Sequence, residues 1–289
     1  MKEATKHTIP MEAGGHISLY HFSNGLKPIK HGGKIPVIVT HGTISNGDAV
    51  QDLAGYLHQI GFDCWLLEWG GHGESKAFSK KQNFEFPALN DTPTAIDAVL
   101  EKTQAKQVYW VSHSGGGHLP LMCLSRLPKY TDKIAGIISL GAQSTDAAIG
   151  FKLKLRTLFL YLITKAFGET PSQIVAVGTE GEPTQLLAQW SKWNLMKKWI
   201  GKDGFDYLSA LTSISTPAFI IAGGNDDIAP ATGCKKFYDQ LKSTDKEWLV
   251  CNEQQGFSKD FSHGQLVRGS AARQELFPLI GQWLKKRNG

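Results

Sequence analysis

The sequence predicts an α/β fold, a mainly parallel sheet flanked by helices and carrying a helical insertion. Three observations predict it. Short β-rich apolar runs alternate with segments of helical period, the mark of βα units around a parallel sheet. One strand runs directly into the turn Ser112-His113-Ser114-Gly115-Gly116 and then into a helix. The alternation stops at about residue 147 and resumes after 206. A chain of 289 residues suits one large domain with a small insertion, and it can bury a core that needs neither disulfides nor a structural metal.

The elements follow in order. Ile17 to Phe22 reads as an early edge strand, and Ile35 to Thr40 as a strand ending at His41-Gly42. Val50, Leu53, Ala54, Leu57 and Ile60 recur at helical spacing, and Gly61 closes that helix. Phe62 to Trp69 is a further strand, closed by Gly70-Gly71-His72-Gly73. Thr92-Pro93 opens a helix, because threonine caps free amides and proline fits the first helical position. Val108 to Ser112 is the strand before the serine turn, and Ile134 to Leu140 is the next. Beyond the insertion come a strand at Ala218 to Ala222, a helix at Thr232 to Leu241, a strand at Glu247 to Cys251 and an amphipathic helix at Gln274 to Lys286. The core is therefore expected to comprise 1–146 and 207–289, and the helical cap insertion 147–206.

Composition narrows the function classes. The charge of +5 is mild and its lysines and arginines are scattered, with short pairs such as Lys80-Lys81 and Lys197-Lys198. A nucleic-acid binder would cluster them, so no nucleic-acid partner is expected. Cys64, Cys123, Cys234 and Cys251 form no C-x-x-C pair or zinc spacing, which points to a reduced, cytoplasmic setting without metal. Met1 to Gly15 is polar and unlike a signal peptide, and no stretch reaches the ~18 apolar residues of a membrane span.

The chemistry centres on Ser114. A serine hydroxyl is a weak nucleophile until a base and an oxyanion hole assist it. A sharp strand-to-helix turn with small residues on both sides exposes such a serine, and Ser112 and Gly116 stand at minus two and plus two. The plain alternative is a glycine-rich connection. Pro120 costs the helix a hydrogen bond unless it lies in the first turn. Serines on this turn are followed in sequence by an acid and then a histidine. After His118 the chain holds one histidine, His263, which is thus the candidate base. Asp226, four residues before Pro230 and just after the strand at Ala218, is the favoured acid. Asp227 competes with it, Asp146 more remotely, and both Asp226 and Asp227 have the alternative role of capping the helix near Thr232. The backbone amides of Gly115 and Thr43 are the candidate oxyanion hole, with His41 a structural loop residue.

These residues resemble the α/β-hydrolase superfamily over roughly 35 to 286, excluding the insertion. The resemblance rests on His41-Gly42, the loop Glu68 to Ser75, the Ser114 turn, Gly223 to Pro230 and His263-Gly264. The stretch from Thr94-Ala95-Ile96-Asp97 to Ser114 looks most like acid lipases and related esterases. Gly70 stands where relatives often carry arginine, and Ser114 departs from the aspartate nucleophile of dehalogenases and epoxide hydrolases of this fold. The resemblance implies a serine esterase or lipase-like enzyme with no cofactor, acting on a small-molecule or lipid ester through an acyl-enzyme. A serine acyltransferase would keep every motif, and a non-catalytic binding protein would keep the fold. In the cap, the basic-apolar segment Phe151 to Ile163 and Trp190, Trp193 and Trp199 either build an acyl-chain pocket with transient membrane-surface contact or pack the cap onto the core.

Overall fold

The strands are short, and most of those in the middle of the sheet are apolar on both faces. A sheet covered by helices on both sides requires that pattern. The computed structural model describes residues 4–22, 35–76, 82–166, 169–170 and 182–288. Lys80-Lys81, residues 1–3 of the N-terminal segment, and 167–168 and 171–181 of the insertion lie outside the described residues. The strands are β1 (Ala4–Pro10), β2 (His16–Phe22), β3 (Val37–Thr40), β4 (Cys64–Glu68), β5 (Val108–His113), β6 (Ile134–Leu140), β7 (Glu169–Thr170), β8 (Glu182–Pro183), β9 (Ala218–Gly223) and β10 (Lys246–Cys251). Eight of them form one sheet in the order β1-β2-β4-β3-β5-β6-β9-β10. The pairs β1–β2 and β2–β4 are antiparallel and the other pairs are parallel. β7 and β8 make a separate antiparallel ribbon.

The helices are α1 (Gln51–Gln59), α2 (Thr92–Thr103), α3 (His118–Arg126), α4 (Gly150–Ala166), α5 (Thr184–Met196), α6 (Tyr207–Ala210), α7 (Ala231–Gln240) and α8 (Phe277–Arg287). Alternate strand residues feed two cores. Ile38, Leu67 and Trp110 pack with α2, α3 and α7 on one face. Val37, Val39, Leu66 and Val111 pack with α1 and α8 on the other. Within the insertion α4 packs on α5, while Trp193 and Trp199 join the first core.

The expected elements are present, with differences at their ends, but the strand expected at the edge, Ile17 to Phe22, is β2 and lies inside the sheet, paired with β1 on one side and β4 on the other. β1 has no signature in the sequence because it is an edge strand whose residues are all exposed or half-buried, leaving no apolar run. The helix expected to start at Thr92 begins a turn earlier, in a wide turn over Pro87–Asp91. Thr92 therefore does not cap it: its hydroxyl donates to the Pro87 carbonyl (3.0 Å). Gly61 closes α1 with a left-handed φ of 97°, a conformation that favours glycine. Pro120 is the third residue of α3, where its missing amide breaks no helical bond.

Candidate active site

Strand β5 delivers Ser114 to the carboxyl end of the sheet, where ligands bind in open α/β sheets. Ser114 itself is left-handed, at φ 52°, which is strained for a residue with a side chain. The surroundings hold it there. A Cβ on Gly116 would lie 2.3 Å from the His41 carbonyl oxygen, and one on Gly42 would lie 2.6 Å from the Ser114 Cβ. No side chain fits at either position. Ser112 is tolerated at minus two because its hydroxyl donates to the Ile138 carbonyl (3.2 Å).

Three predicted side chains converge from three loops. Asp226 follows β9 and His263 follows β10, so the parallel strands bring both beside Ser114. Asp226 Oδ2 lies 2.7 Å from His263 Nδ1, and His263 Nε2 lies 2.8 Å from Ser114 Oγ. An ionised carboxylate only accepts, so Nδ1 carries the proton and Nε2 accepts from the serine. Asp226 Oδ1 accepts from the Ile228 and Ala229 amides at 3.0 and 2.8 Å. Burial opposes its ionisation, yet the His263 hydrogen bond and charge, with those amides, hold its pKa below the ordinary value. Gly141, at φ 61°, leaves room for the pair: a Cβ there would lie 3.3 Å from both Asp226 Oδ2 and His263 Nδ1.

The competing acids lie elsewhere. The carboxylate of Asp227 faces outward and pairs with Arg156 (2.6 Å). Asp146 pairs with Lys236 (2.5 Å). The backbones of Thr43 and Gly115 face one another beside Ser114, since a Cβ on Gly115 would lie 3.0 Å from the Thr43 nitrogen. Buried Glu68 ties down the loop after β3: it accepts from the Gly47 amide (3.0 Å), the Glu74 amide (2.9 Å) and the Tyr20 hydroxyl (3.0 Å). His41 is buried and stacks on Trp69, as expected of a structural residue.

Two further histidines, to which the sequence assigns no role, border the site. His113 Nε2 lies 3.0 Å from the His263 carbonyl and so donates to it, and the two rings lie 4.6 Å apart. Burial, then the neighbouring His263 charge, pushes its pKa down to about 3, so it stays neutral. His118, beneath the site, has Nδ1 3.3 Å from the Gly115 carbonyl and Nε2 3.1 Å from the Gln143 carbonyl and 3.0 Å from the Ser144 hydroxyl; burial lowers its pKa to about 4, so its single N–H donates on one side only. The signal for His113 was its place directly before Ser114. Nothing in the sequence singles out His118 except its closeness to the turn.

Ser114 and His263 open on a cavity of about 310 Å³. Phe159, Leu160 and Ile163 of α4 and Leu187 and Trp190 of α5 form its outer wall. Among the described residues its charged lining side chains are Arg156 and Arg268, with no carboxylate. Among the described residues no group of three or more His, Cys, Asp or Glu side chains converges as metal ligands.

The sequence profile of the family described as serine aminopeptidase, S33, matches residues 34–178, half of the chain. The chain belongs to that hydrolase family. Within the α/β-hydrolase fold, this hydrolase is also similar to human lysosomal acid lipase/cholesteryl ester hydrolase, 25% identical over 185 residues. That match covers 57% of this chain and 45% of the relative, so the hydrolase aligns with less than half of the human protein. Lipase 3 of Drosophila melanogaster is 35% identical over 105 residues, 32% of this chain and 25% of that one. Among solved structures, an esterase of Pyrococcus furiosus superposes with a TM-score of 0.67 at 16% identity, covering 99% of this chain and 92% of that one. A monoacylglycerol lipase of Paleococcus ferrophilus gives 0.63 at 17% identity, covering 88% and 96%. At those identities the likeness is one of fold.

Proposed function

We propose that this hydrolase cleaves carboxylic esters through an acyl-enzyme on Ser114. The observation that carries the reading is the hydrogen-bonded line from Ser114 through His263 to buried Asp226, at the floor of a largely apolar cavity. Ser114 Oγ attacks the ester carbonyl carbon while His263 Nε2 takes its proton. The Thr43 and Gly115 amides hold the oxygen that gains charge. His263 returns the proton to the leaving alcohol, then activates a water that releases the acid. Asp226 fixes the histidine tautomer and stabilises its cation. No cofactor or metal enters these steps.

The relatives named as lipases and esterases support an ester as substrate. An aminopeptidase would need an acidic group to hold its substrate's free ammonium, and the described lining carries arginines instead. Residues 147–206 act as a cap, with α4 and α5 forming the acyl wall. Phe151, Leu155, Phe159 and Leu162 lie exposed on α4, a surface suited to transient contact with lipid. Among the described residues no helix is long and apolar enough to cross a membrane. Its four cysteines are free and buried, which supports a reducing compartment, the cytoplasm.

The test is Ser114→Ala in purified enzyme, expected to lose on the order of 10⁴–10⁶ in turnover and all fluorophosphonate labelling. Wild-type-like esterase activity in that variant refutes the reading. A series of 4-nitrophenyl esters should favour medium or long acyl chains over acetyl. An added alcohol or thiol acceptor that captures most of the acyl group would show an acyltransferase.

A further inference from the structure

Arg268 stands apart among the cations around this site. It lies five residues beyond His263, and its guanidinium lies over Gly264: a Cβ there would meet Nη2 at 3.0 Å and Nε at 3.3 Å. It lines the same cavity as Ser114 and His263. The other lining arginine, Arg156, is neutralised by Asp227, whose carboxylate and carbonyl it bonds at 2.6 and 3.0 Å. Arg268 makes no ion pair and no hydrogen bond among the described residues, and it is exposed at the cavity rim.

A guanidinium without a carboxylate partner, at the rim of a cavity, is a ready site for an anion. During acylation His263 becomes a cation, and an anion bound in the same cavity favours that step. The field of Arg268 already reaches the adjacent His113, where it disfavours the protonated form. A negative charge on the bound substrate would take a bidentate contact with Arg268 at the rim.

We propose that Arg268 is a specificity-determining residue that selects esters carrying an anionic group, a carboxylate or a phosphate. The inference rests on the acyl-enzyme reading. The anion sits on Arg268 at the mouth while the apolar part of the ester fills the wall formed by α4 and α5. Because the anion offsets charge that builds up on His263, it raises kcat as well as lowering KM.

The experiment compares esters matched in chain length. Mono-4-nitrophenyl adipate is set against 4-nitrophenyl hexanoate for an anion on the acyl side, and 4-hexanoyloxybenzoate against phenyl hexanoate for one on the alcohol side. Uncatalysed rates are subtracted. For at least one pair, Arg268→Ala should lower the anionic-to-neutral ratio of kcat/KM ~10-fold, part of it in kcat, as loss of a charge-assisted bond predicts. Arg268→Lys should recover much of the ratio and Arg268→Glu should invert it. The pair that responds tells which side carries the anion. Ratios within twofold of wild type for both pairs in Arg268→Ala and Arg268→Glu overturn the proposal and leave Arg268 a solvated surface cation. A wild type inert toward all four esters refutes the acyl-enzyme reading instead. Titration of 4-hexanoyloxybenzoate into Ser114→Ala, with and without Arg268→Ala, then decides the anion site: binding weakened by the second substitution supports it, and equal binding overturns it.

Discussion

Replacing Asp226 by asparagine preserves the shape of the side chain and reverses its hydrogen-bonding to His263. The Ile228 and Ala229 amides both require an acceptor, so the asparagine oxygen stays on them. Its NH2 group must then face His263 Nδ1, where the carboxylate accepts at 2.7 Å. That group only donates, so Nδ1 becomes the acceptor and the proton moves to Nε2. A protonated Nε2 cannot take the proton of Ser114 Oγ, 2.8 Å away. The side chain is fully buried, so no water restores the tautomer. The expected loss is ~10⁴ in kcat, as in other triads, or about 5.4 kcal/mol of barrier. Asp227→Asn is the matched control, because it breaks only an exposed pair with Arg156. Such pairs contribute about 1 kcal/mol or less, a factor of ~5 at most. The assay is kcat on 4-nitrophenyl butyrate for both variants, with melting curves to establish folding. More than a tenth of wild-type kcat in folded Asp226→Asn, or a larger loss in Asp227→Asn, would refute the reasoning.

Other expectations follow from the same geometry. Gly116→Ala forces a Cβ to within 2.3 Å of the His41 carbonyl; it should destabilise by roughly 1–3 kcal/mol, as overpacking does, and an unchanged melting temperature would contradict the tight turn. His113→Ala removes the donor to the His263 carbonyl (3.0 Å) and should lower kcat ~10-fold through misplacement of the base; His113→Gln, whose amide nitrogen can donate, should recover part of it, and equal loss in both would point to packing alone. Asp91 is buried and accepts from the Gly70 amide (2.7 Å), yet burial raises its pKa to about 6. The folded state therefore holds this proton more tightly than the unfolded chain, and stability falls as pH rises from about 4 to about 6. Asp91→Asn keeps the acceptor without the charge, so it should raise the melting temperature at pH 8 and leave it nearly unchanged at pH 4. The opposite order of the two effects would sink that account.

Much of the candidate site was legible because the residue types it brings together stand at recognisable local spacings. A nucleophile turn needs small residues at fixed offsets, and Ser112, Gly115 and Gly116 stand there. The histidine was legible by elimination, since His263 is the one histidine after His118. The parallel strands were legible because burial on both faces demands continuous apolar runs. Strand β1 was not, because an exposed edge strand carries no such run.

Asp226 and Asp227 are adjacent and chemically identical, so the sequence favours Asp226 only by its offset from Pro230 and leaves Asp227 open; the fold separates them by direction, one carboxylate buried against His263 and the other exposed against Arg156. The insertion's tryptophans were likewise divided only by the fold: Trp193 and Trp199 enter the core, and Trp190 lines the cavity. The same holds for His113 beneath the His263 loop and for Arg268 over Gly264. Composition and spacing fix which residues can do chemistry and where strands and turns occur along the chain. Which side chains share a cavity, and which charges are left without a partner, depends on contacts between segments far apart in sequence, and those exist only once the sheet has brought its loops to one edge.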